Sequence, residues 1–302
     1  MASNQSNAIK VLYSHFLKTF GENPDMPLPE MRSLLEHVGD LGAEPGEVDY
    51  IEVDCSGVPG MWAIPKHSSD RHVLLCTHGG GYIAGSMYSH RKMFGHLAKA
   101  TGCRALIVHY GRAPENPHPG PVMDCLSAYE WLLKQGYHAA NIATTGDSAG
   151  GSLSTAVILA ARDKGLPLPA ASMPMCPWYD MENSGASMTV NDAKDCLVKK
   201  SVVDGMAEGF LGGASKRDPL ANPLWANLNG LPPTYITVGG DETLLDDSLR
   251  FEKRAKKAGV DIKVDIFPEM QHVWHFMAGE APEANQAVQQ MAQWVKPRIG
   301  LK

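Results

Sequence analysis

The chain contains short apolar runs that are separated by stretches with helical spacing. In chain order the runs are VDYIEVDC, GMWAIP, HVLLCTH, RALIVHY, NIATTGD, ASMPMC, TYITVGG and DIKVDIFP. Continuous apolar strands that alternate with helices are typical of a mainly parallel sheet with both faces covered. Only the stretch Gly57-Val58-Pro59-Gly60 separates the first two runs, so we expect them to form an antiparallel hairpin at the sheet edge.

The stretches between the runs carry helix signals. From Ser152 to Lys164, apolar side chains recur on one helical face, and Gly165 followed by Pro167 provides a stop signal. This helix should begin at the glycine-rich turn just before it. Near the end of the chain, Pro282 opens a segment through Trp294 whose spacing suits a surface helix that packs one face on the core.

Two regions do not follow the alternation of strands and helices. Residues 1–45 are helical and amphipathic, and residues from about 180 to 222 place polar loops around one helix. We expect both to form a cap, with residues 46–302 as the catalytic domain and the segment of about 180–222 as an insertion in it. Apolar side chains in these regions would otherwise be exposed; they are Leu12, Tyr13, Phe16, Phe20, Met206, Phe210 and Leu211.

Composition narrows the class of protein. The 302 residues are 44% hydrophobic and 20% charged, as in a soluble globular chain with one large α/β domain. With 27 basic and 33 acidic residues, the net charge of −6 argues against a nucleic-acid partner. No leader pattern and no long apolar stretch is present, so we expect no membrane span. The six scattered cysteines indicate reduced thiols and a cytoplasmic location.

The strongest chemical motif is Gly146-Asp147-Ser148-Ala149-Gly150, at the junction of a predicted strand and a predicted helix. A G-x-S-x-G sequence in that context is typical of a serine nucleophile on a sharp, strained turn. Ser148 is therefore the candidate nucleophile.

A second motif, His78-Gly79-Gly80-Gly81, directly follows the strand VLLCT. Consecutive glycines at a strand end make sense where backbone N–H groups must approach a ligand closely. We expect Gly80 and Gly81, together with the amide of Ala149, to form an oxyanion hole.

A serine nucleophile needs a base and an acid that orients the base, here in the chain order serine, acid, histidine. His272 follows the last predicted strand and is the candidate base, while His275 is its rival but should belong to the following helix. The strand TYITVGG ends in several carboxylates, and the residues alone leave Asp241 and Glu242 open as the acid.

Together these motifs resemble the hormone-sensitive-lipase-like family of α/β-hydrolases, in particular its bacterial carboxylesterases. The matching segments are HGGGY at 78–82, YGRAPE at 110–115, GDSAGG at 146–151, the acidic loop after residue 240 and His272. The resemblance implies an α/β-hydrolase fold with a mainly parallel eight-stranded sheet and a small helical cap. It also implies the oxyanion hole already assigned to Gly80, Gly81 and Ala149.

Two positions depart from the family pattern. Gly111 stands where the family usually has arginine, which removes any support that this arginine gives. The usual acid loop of the family reads Asp-Pro-Leu-x-Asp, and its alignment on Leu244 and Asp246 favours Glu242 over Asp241 as the acid.

The predicted function is the hydrolysis of short- to medium-chain carboxylic esters through an acyl-enzyme, without a metal or an organic cofactor. A lactone hydrolase or an amidase would use the same triad, so the small-molecule substrate is an ester or a lactone. A non-catalytic ligand receptor on a hydrolase scaffold is the alternative of another class. The oligomeric state stays open, a homodimer included. By resemblance, the cap should form the acyl pocket, and deleting residues 1–40 should affect selectivity or solubility before it affects the triad.

Overall fold

Eight strands form one sheet in the computed structural model, which describes residues 2–302. Its spatial order is β1-β2-β4-β3-β5-β6-β7-β8. Strand β2 is antiparallel to both β1 and β4, and all the other pairs are parallel. The strands are β1 (Val48–Asp54), β2 (Pro59–Pro65), β3 (Val73–Thr77), β4 (Arg104–Val108), β5 (Ile142–Asp147), β6 (Ala171–Met175), β7 (Thr234–Gly239) and β8 (Ile262–Phe267). The predicted eight-stranded α/β fold, including its edge hairpin, is confirmed.

Helices flank this sheet and also make up much of the two segments, residues 1–45 and about 180–222, that are expected to form a cap. They are α1 (Asn4–Glu22), α2 (Leu28–Leu35), α3 (Met87–Thr101), α4 (Gly120–Lys134), α5 (Ala149–Asp163), α6 (Ser187–Val190), α7 (Lys200–Leu211), α8 (Leu245–Lys257) and α9 (Pro282–Val295). Short 3-10 turns cover Glu36–Asp40, Ala139–Asn141, Pro223–Trp225, Trp274–Met277 and Lys296–Ile299.

Helix α5 differs from its sequence pattern. Its apolar positions predict one buried face, but every residue from Ala149 to Ala161 is buried. The reason is that α5 packs on strands β3, β5 and β6 on one side and on α4 and the turn Pro223–Trp225 on the others. Small residues fill the remaining faces of α5, so no polar face is needed. Helix α9, in contrast, buries Ala287 and Met291 on one side, as its spacing predicts.

Parallel pairing brings the loops that matter to one edge of the sheet. In the register of β3, β5 and β6, Thr77 lies beside Gly146, and Gly146 lies beside Pro174. On the far side, Gly239 at the end of β7 lies beside Phe267 at the end of β8. The loops after these strands therefore meet at the carboxyl edge, where open α/β sheets bind their ligands.

The two segments that do not fit the alternation pack above this edge. Helix α1 buries Ile9, Tyr13 and Phe16 and packs on α9 and the turn Trp274–Met277. Helix α7 buries Phe210, whose ring stacks on that of Tyr82 at 3.6 Å between centroids.

Two observations bear on the cellular context. No helix within residues 2–302 is long and apolar enough to cross a membrane. All six cysteines are free, and five of them are buried.

Candidate active site

Ser148 occupies a strained turn between β5 and α5. Its φ of 54° lies in the left-handed region, which a non-glycine residue adopts only when surrounding contacts enforce it. Those contacts are backbone hydrogen bonds: the Ser148 N–H donates to Met175 O at 3.0 Å, and the Trp178 N–H donates to Ser148 O at 3.0 Å. Two residues on, a Cβ at Gly150 would overlap the carbonyl of Thr77, so only glycine lets α5 start this close to β3.

The glycine loop after β3 wraps around the same point. Gly80 and Gly81 have φ values of 108° and 63°, and both line a cavity together with Ser148. A Cβ on Gly80 would overlap the Ala84 carbonyl, and one on Gly81 would overlap the Met206 sulfur. Backbone conformation and close packing thus both require glycine here. Ala149 is the first residue of α5, where helix N–H groups have no acceptor within the helix.

The loops after β7 and β8 bring an acid to a histidine. His272 Nδ1 lies 2.8 Å from Oε2 of Glu242, and both side chains are buried. Asp241 points elsewhere, with its carboxylate 3.8 Å from Nζ of Lys194. The structure therefore brings Glu242, and not Asp241, to His272.

The electrostatics of this pair favour a charged imidazole. Burial alone lowers the pKa of His272, but the hydrogen bond and the charge of Glu242 outweigh burial, so the pKa of His272 is raised. The imidazolium that forms when a histidine accepts a proton during a reaction is stabilised by such a carboxylate.

His275, the rival base, has a different environment. It lies in the turn Trp274–Met277, is fully buried, and places Nε2 2.9 Å from Oγ1 of Thr237. Burial, and then the charge of His272, lowers the pKa of His275 to about 3. Val273, with φ of 51°, turns the chain between the two histidines, so His272 lines the cavity while His275 packs in the core.

Sequence reasoning did not assign a role to Asp147, which precedes the nucleophile. Its Oδ1 accepts the Gly79 N–H at 3.1 Å, and its Oδ2 lies 3.3 Å from Nε2 of His90. The buried carboxylate thus ties the glycine loop to the nucleophile turn. Its place inside the GDSAG motif was the available signal.

Two residues of the segments expected to form a cap also reach the loops that hold Glu242 and His272. The Tyr13 hydroxyl on α1 donates to the backbone carbonyl of His272 at 2.9 Å. Asp195 accepts the N–H of Thr243, next to Glu242, at 2.8 Å and that of Val198 at 2.8 Å. Deleting residues 1–40 would remove this hydrogen bond to the histidine loop, so the expectation that the deletion affects selectivity or solubility before the triad stays a prediction. No local sequence motif identifies Tyr13 or Asp195 as a residue that contacts these loops.

The departure at Gly111 has a local explanation. A Cβ there would meet the side chain of Asn116, which donates to Asp124 Oδ2 at 3.0 Å, while the Gly111 N–H donates to the same oxygen at 2.8 Å. An arginine from the cap supports the neighbouring loops instead. Arg32 on α2 donates to Ile83 O at 2.7 Å and forms a bidentate pair with Glu115.

A mainly apolar cavity of about 100 Å³ lies over these groups. Gly80, Gly81, Ser148 and His272 line its lower side, which we call the sheet side. Its upper side, the cap side, is lined by Tyr13, Leu17, Phe20, Leu35, Val38, Leu197, Val198, Val202, Val203 and Met206. Of the apolar cap residues singled out in the sequence, Tyr13, Phe20 and Met206 reach the cavity. Phe16, Phe210 and Leu211 are buried in the core, and Leu12 packs against it.

Known proteins resemble this chain over most of its length. A family model described as alpha/beta hydrolase fold matches residues 74–276. An acetyl-hydrolase of Streptomyces hygroscopicus is 39% identical over 265 residues, which cover 88% of this chain and 87% of that protein.

Among solved structures, an esterase from the bacterial hormone-sensitive lipase family superposes with a TM-score of 0.95. It is 40% identical, and the match covers 99% of this chain and 100% of that one. The structure of EstE5 soaked with p-nitrophenyl butyrate superposes with a TM-score of 0.92 at 34% identity, with 99% and 100% covered.

Proposed function

We infer that this chain, which belongs to the hormone-sensitive-lipase-like esterases of the α/β-hydrolase fold, hydrolyses short- to medium-chain carboxylic esters through an acyl-enzyme on Ser148. The observation that carries the proposal is the 2.8 Å contact between Glu242 and His272, beside the cavity that His272 shares with Ser148. The acetyl-hydrolase and esterase activities named for its relatives support the same reaction class.

The acylation step follows from the roles of these groups. Glu242 accepts a hydrogen bond from the Nδ1–H of His272, which leaves Nε2 free to take the Ser148 proton as the hydroxyl attacks the ester carbonyl. The negative charge that develops on the carbonyl oxygen is stabilised by the amides of Gly80, Gly81 and Ala149. His272 then returns the proton to the leaving alcohol, and Ser148 keeps the acyl group.

Deacylation repeats the sequence with water. His272 removes a proton from the water molecule as it attacks the acyl-enzyme, and the same amides stabilise the second oxyanion. Removing one oxyanion donor typically costs about 3 to 4 kcal/mol of transition-state stabilisation. This stabilisation offsets the conformational entropy that Gly80 and Gly81 lose when the loop is ordered.

The cap side of the cavity supports a limit on acyl length. Its lining is mainly apolar. The Met206 sulfur lies where a Cβ on Gly81 would have to be placed, so this side chain covers the glycine loop. Short and medium acyl chains fit such an enclosed apolar pocket, whereas long chains would have to displace the cap helices. By resemblance to the family, we expect activity to peak well below about twelve acyl carbons, and such a pocket agrees with that limit.

A substrate panel tests the proposal. The purified chain is assayed on p-nitrophenyl esters from acetate to palmitate, on a medium-ring lactone and on an anilide, after which an organophosphonate label is mapped by mass spectrometry. We expect the highest kcat/KM on a short or medium ester and the label on Ser148. Preference for the lactone or the anilide would reassign the substrate, and a label elsewhere would reject Ser148. An optimum on long-chain emulsions would reject the account of the cap.

A further inference from the structure

A buried thiol lies beneath the acid and histidine of the proposed triad. Cys176 follows β6 directly, has φ of 46°, and is fully buried. Its sulfur accepts the N–H of Val273, the residue after His272, at 3.3 Å. One ligand atom each from Cys176, Glu242 and His272 lies within 4.8 Å of the other two.

The acid still has bonding capacity on the side of the thiol. Glu242 uses Oε2 for His272, while its buried Oε1 has no nitrogen or oxygen hydrogen-bond partner within residues 2–302. The Cys176 thiol also interacts with this carboxylate, within 4.8 Å. A buried carboxylate oxygen without a strong partner is an available ligand for a cation.

We propose that Cys176, Glu242 and His272 form an inhibitory site for a thiophilic divalent cation such as Zn²⁺ or Cd²⁺. One sulfur, one imidazole nitrogen and one carboxylate oxygen make a donor set that zinc accepts in proteins. Ligand atoms around tetrahedral zinc lie about 3.3 to 3.8 Å apart, so atoms that now lie within 4.8 Å of one another need to approach by no more than about 1 Å, while Nδ1 and Oε2, 2.8 Å apart, would separate slightly. A thiolate and a carboxylate also balance the two positive charges, which a buried site requires.

Occupancy of this site would stop catalysis by changing the histidine tautomer. In the proposed mechanism Nδ1 of His272 carries the proton that faces Glu242, 2.8 Å away, and Nε2 has the lone pair that accepts the Ser148 proton. A cation on Nδ1 takes the lone pair there, so the single proton of the neutral imidazole moves to Nε2. The thiol proton leaves to solvent as the metal–sulfur bond forms, and no redox step occurs. With Nε2 protonated, His272 cannot accept the proton of Ser148. This consequence rests on the proposed function, whereas binding itself does not.

Inhibition by Zn²⁺ is the first test. Rates on a p-nitrophenyl ester are measured for the wild type, Cys176→Ser and Cys196→Ser in chelator-buffered Zn²⁺, each relative to its own metal-free rate and corrected for a protein-free blank. Cys196 is the matched control because it is the half-exposed cysteine on the cap. We expect the wild type and Cys196→Ser to lose activity reversibly, and Cys176→Ser to need at least about tenfold more Zn²⁺ for the same loss. Equal inhibition of all three proteins would overturn the site.

Binding of Cd²⁺ tests the site without activity. In the inactive variant Ser148→Ala, we expect Cd²⁺ to produce the ultraviolet charge-transfer band of a cadmium–thiolate bond. The band should be absent after the further change Cys176→Ser or Cys176→Ala, each checked for folding by circular dichroism, and should need more Cd²⁺ after Glu242→Gln. A band that survives the loss of Cys176 overturns the proposal. If the wild type hydrolyses no ester, the proposed function fails, but this band still decides the metal site.

Discussion

The sheet side and the cap side of the cavity hold their groups by different means. On the sheet side, Ser148 and His272 stand in loops that directly follow strands, and backbone hydrogen bonds or a buried carboxylate fix each of them. On the cap side, segments from two distant parts of the chain present mainly apolar side chains to the cavity. The sheet side should therefore determine the rate of the chemistry, and the cap side should determine which acyl chains are accepted.

Contacts between the two sides limit this separation. Tyr13 and Asp195 belong to the cap but hydrogen-bond to the backbone of the histidine and acid loops. Variants on each side, taken from the largest expected effect to the smallest, measure how far the separation holds.

Loss of the nucleophile should have the largest effect. We expect Ser148→Ala to lower kcat on a short ester by about 10⁴-fold or more, because no other group forms the acyl-enzyme. Its thermal midpoint should stay within a few degrees of the wild type. Ser154→Ala, a buried change in helix α5 whose hydroxyl donates to Gly151 O at 2.8 Å, is the control and should keep most activity. Substantial turnover by pure Ser148→Ala would show that another residue is the nucleophile.

The two neighbouring acids should differ strongly. Glu242→Gln removes the charge that stabilises the His272 imidazolium, and we expect kcat/KM to fall by about 10²- to 10⁴-fold. Asp241→Asn removes only a partly exposed contact to Lys194, so its effect should stay within about threefold. Steady-state kinetics of the two variants decide the point. The opposite ranking would transfer the orienting role to Asp241.

Tyr13→Phe tests the contact through which the cap reaches the triad. It removes a buried hydrogen bond to the His272 carbonyl, and a loss of about 1 kcal/mol in positioning corresponds to about a fivefold fall in kcat. The preferred acyl length should not change, because the ring stays in place. Tyr50→Phe, whose hydroxyl bonds Arg91 O away from the cavity, is the control. An altered chain-length profile without a change in kcat would mean that Tyr13 only shapes the pocket.

Met206→Ala should change selectivity more than rate. It removes volume above Gly81, so we expect kcat/KM on medium-chain esters to rise relative to acetate, while the acetate value stays within about threefold. Met123→Ala, at an exposed methionine, should leave the profile unchanged. A uniform loss on all esters would show that the cap side also controls the chemistry.

The smallest effect on catalysis is expected at His275. A substitution there should instead change how the free energy of unfolding depends on pH. Burial lowers the pKa of His275 to about 3, so the folded state stays neutral while the unfolded state takes up a proton below pH about 6.5. Stability from this group is thus present above pH 6.5 and lost as pH falls towards 3. We expect the unfolding free energy of the wild type to fall by up to about 1.4 kcal/mol per pH unit more steeply than that of His275→Gln. Parallel pH profiles from urea titrations would contradict the neutral, buried state.

Local sequence determined the fold and much of the site. Apolar runs of strand length with helices between them specify a parallel sheet, and the eight observed strands match the eight predicted runs. Ser148 and the glycines at 80 and 81 could be proposed from the sequence because the chemistry expected of them depends on the conformation of a single turn. His272 could be placed next to a strand end for the same reason. These features depend on residues that are close together in the sequence, so local motifs reveal them.

Only the tertiary structure decided which distant groups meet. Asp241 and Glu242 are adjacent, and the direction in which β7 ends, relative to the loop after β8, puts Glu242 at His272. Tyr13 reaches His272 across 259 positions of the chain, and Cys176 lies beneath both acid and base because β6 is next to β7 in the sheet. The contacts of Tyr13 and Cys176 depend on strand order and on the packing of the cap, so residue spacing along the chain carries no signal for them. The choice of Glu242 differs, because the register of the acid loop on Leu244 and Asp246 already favoured it.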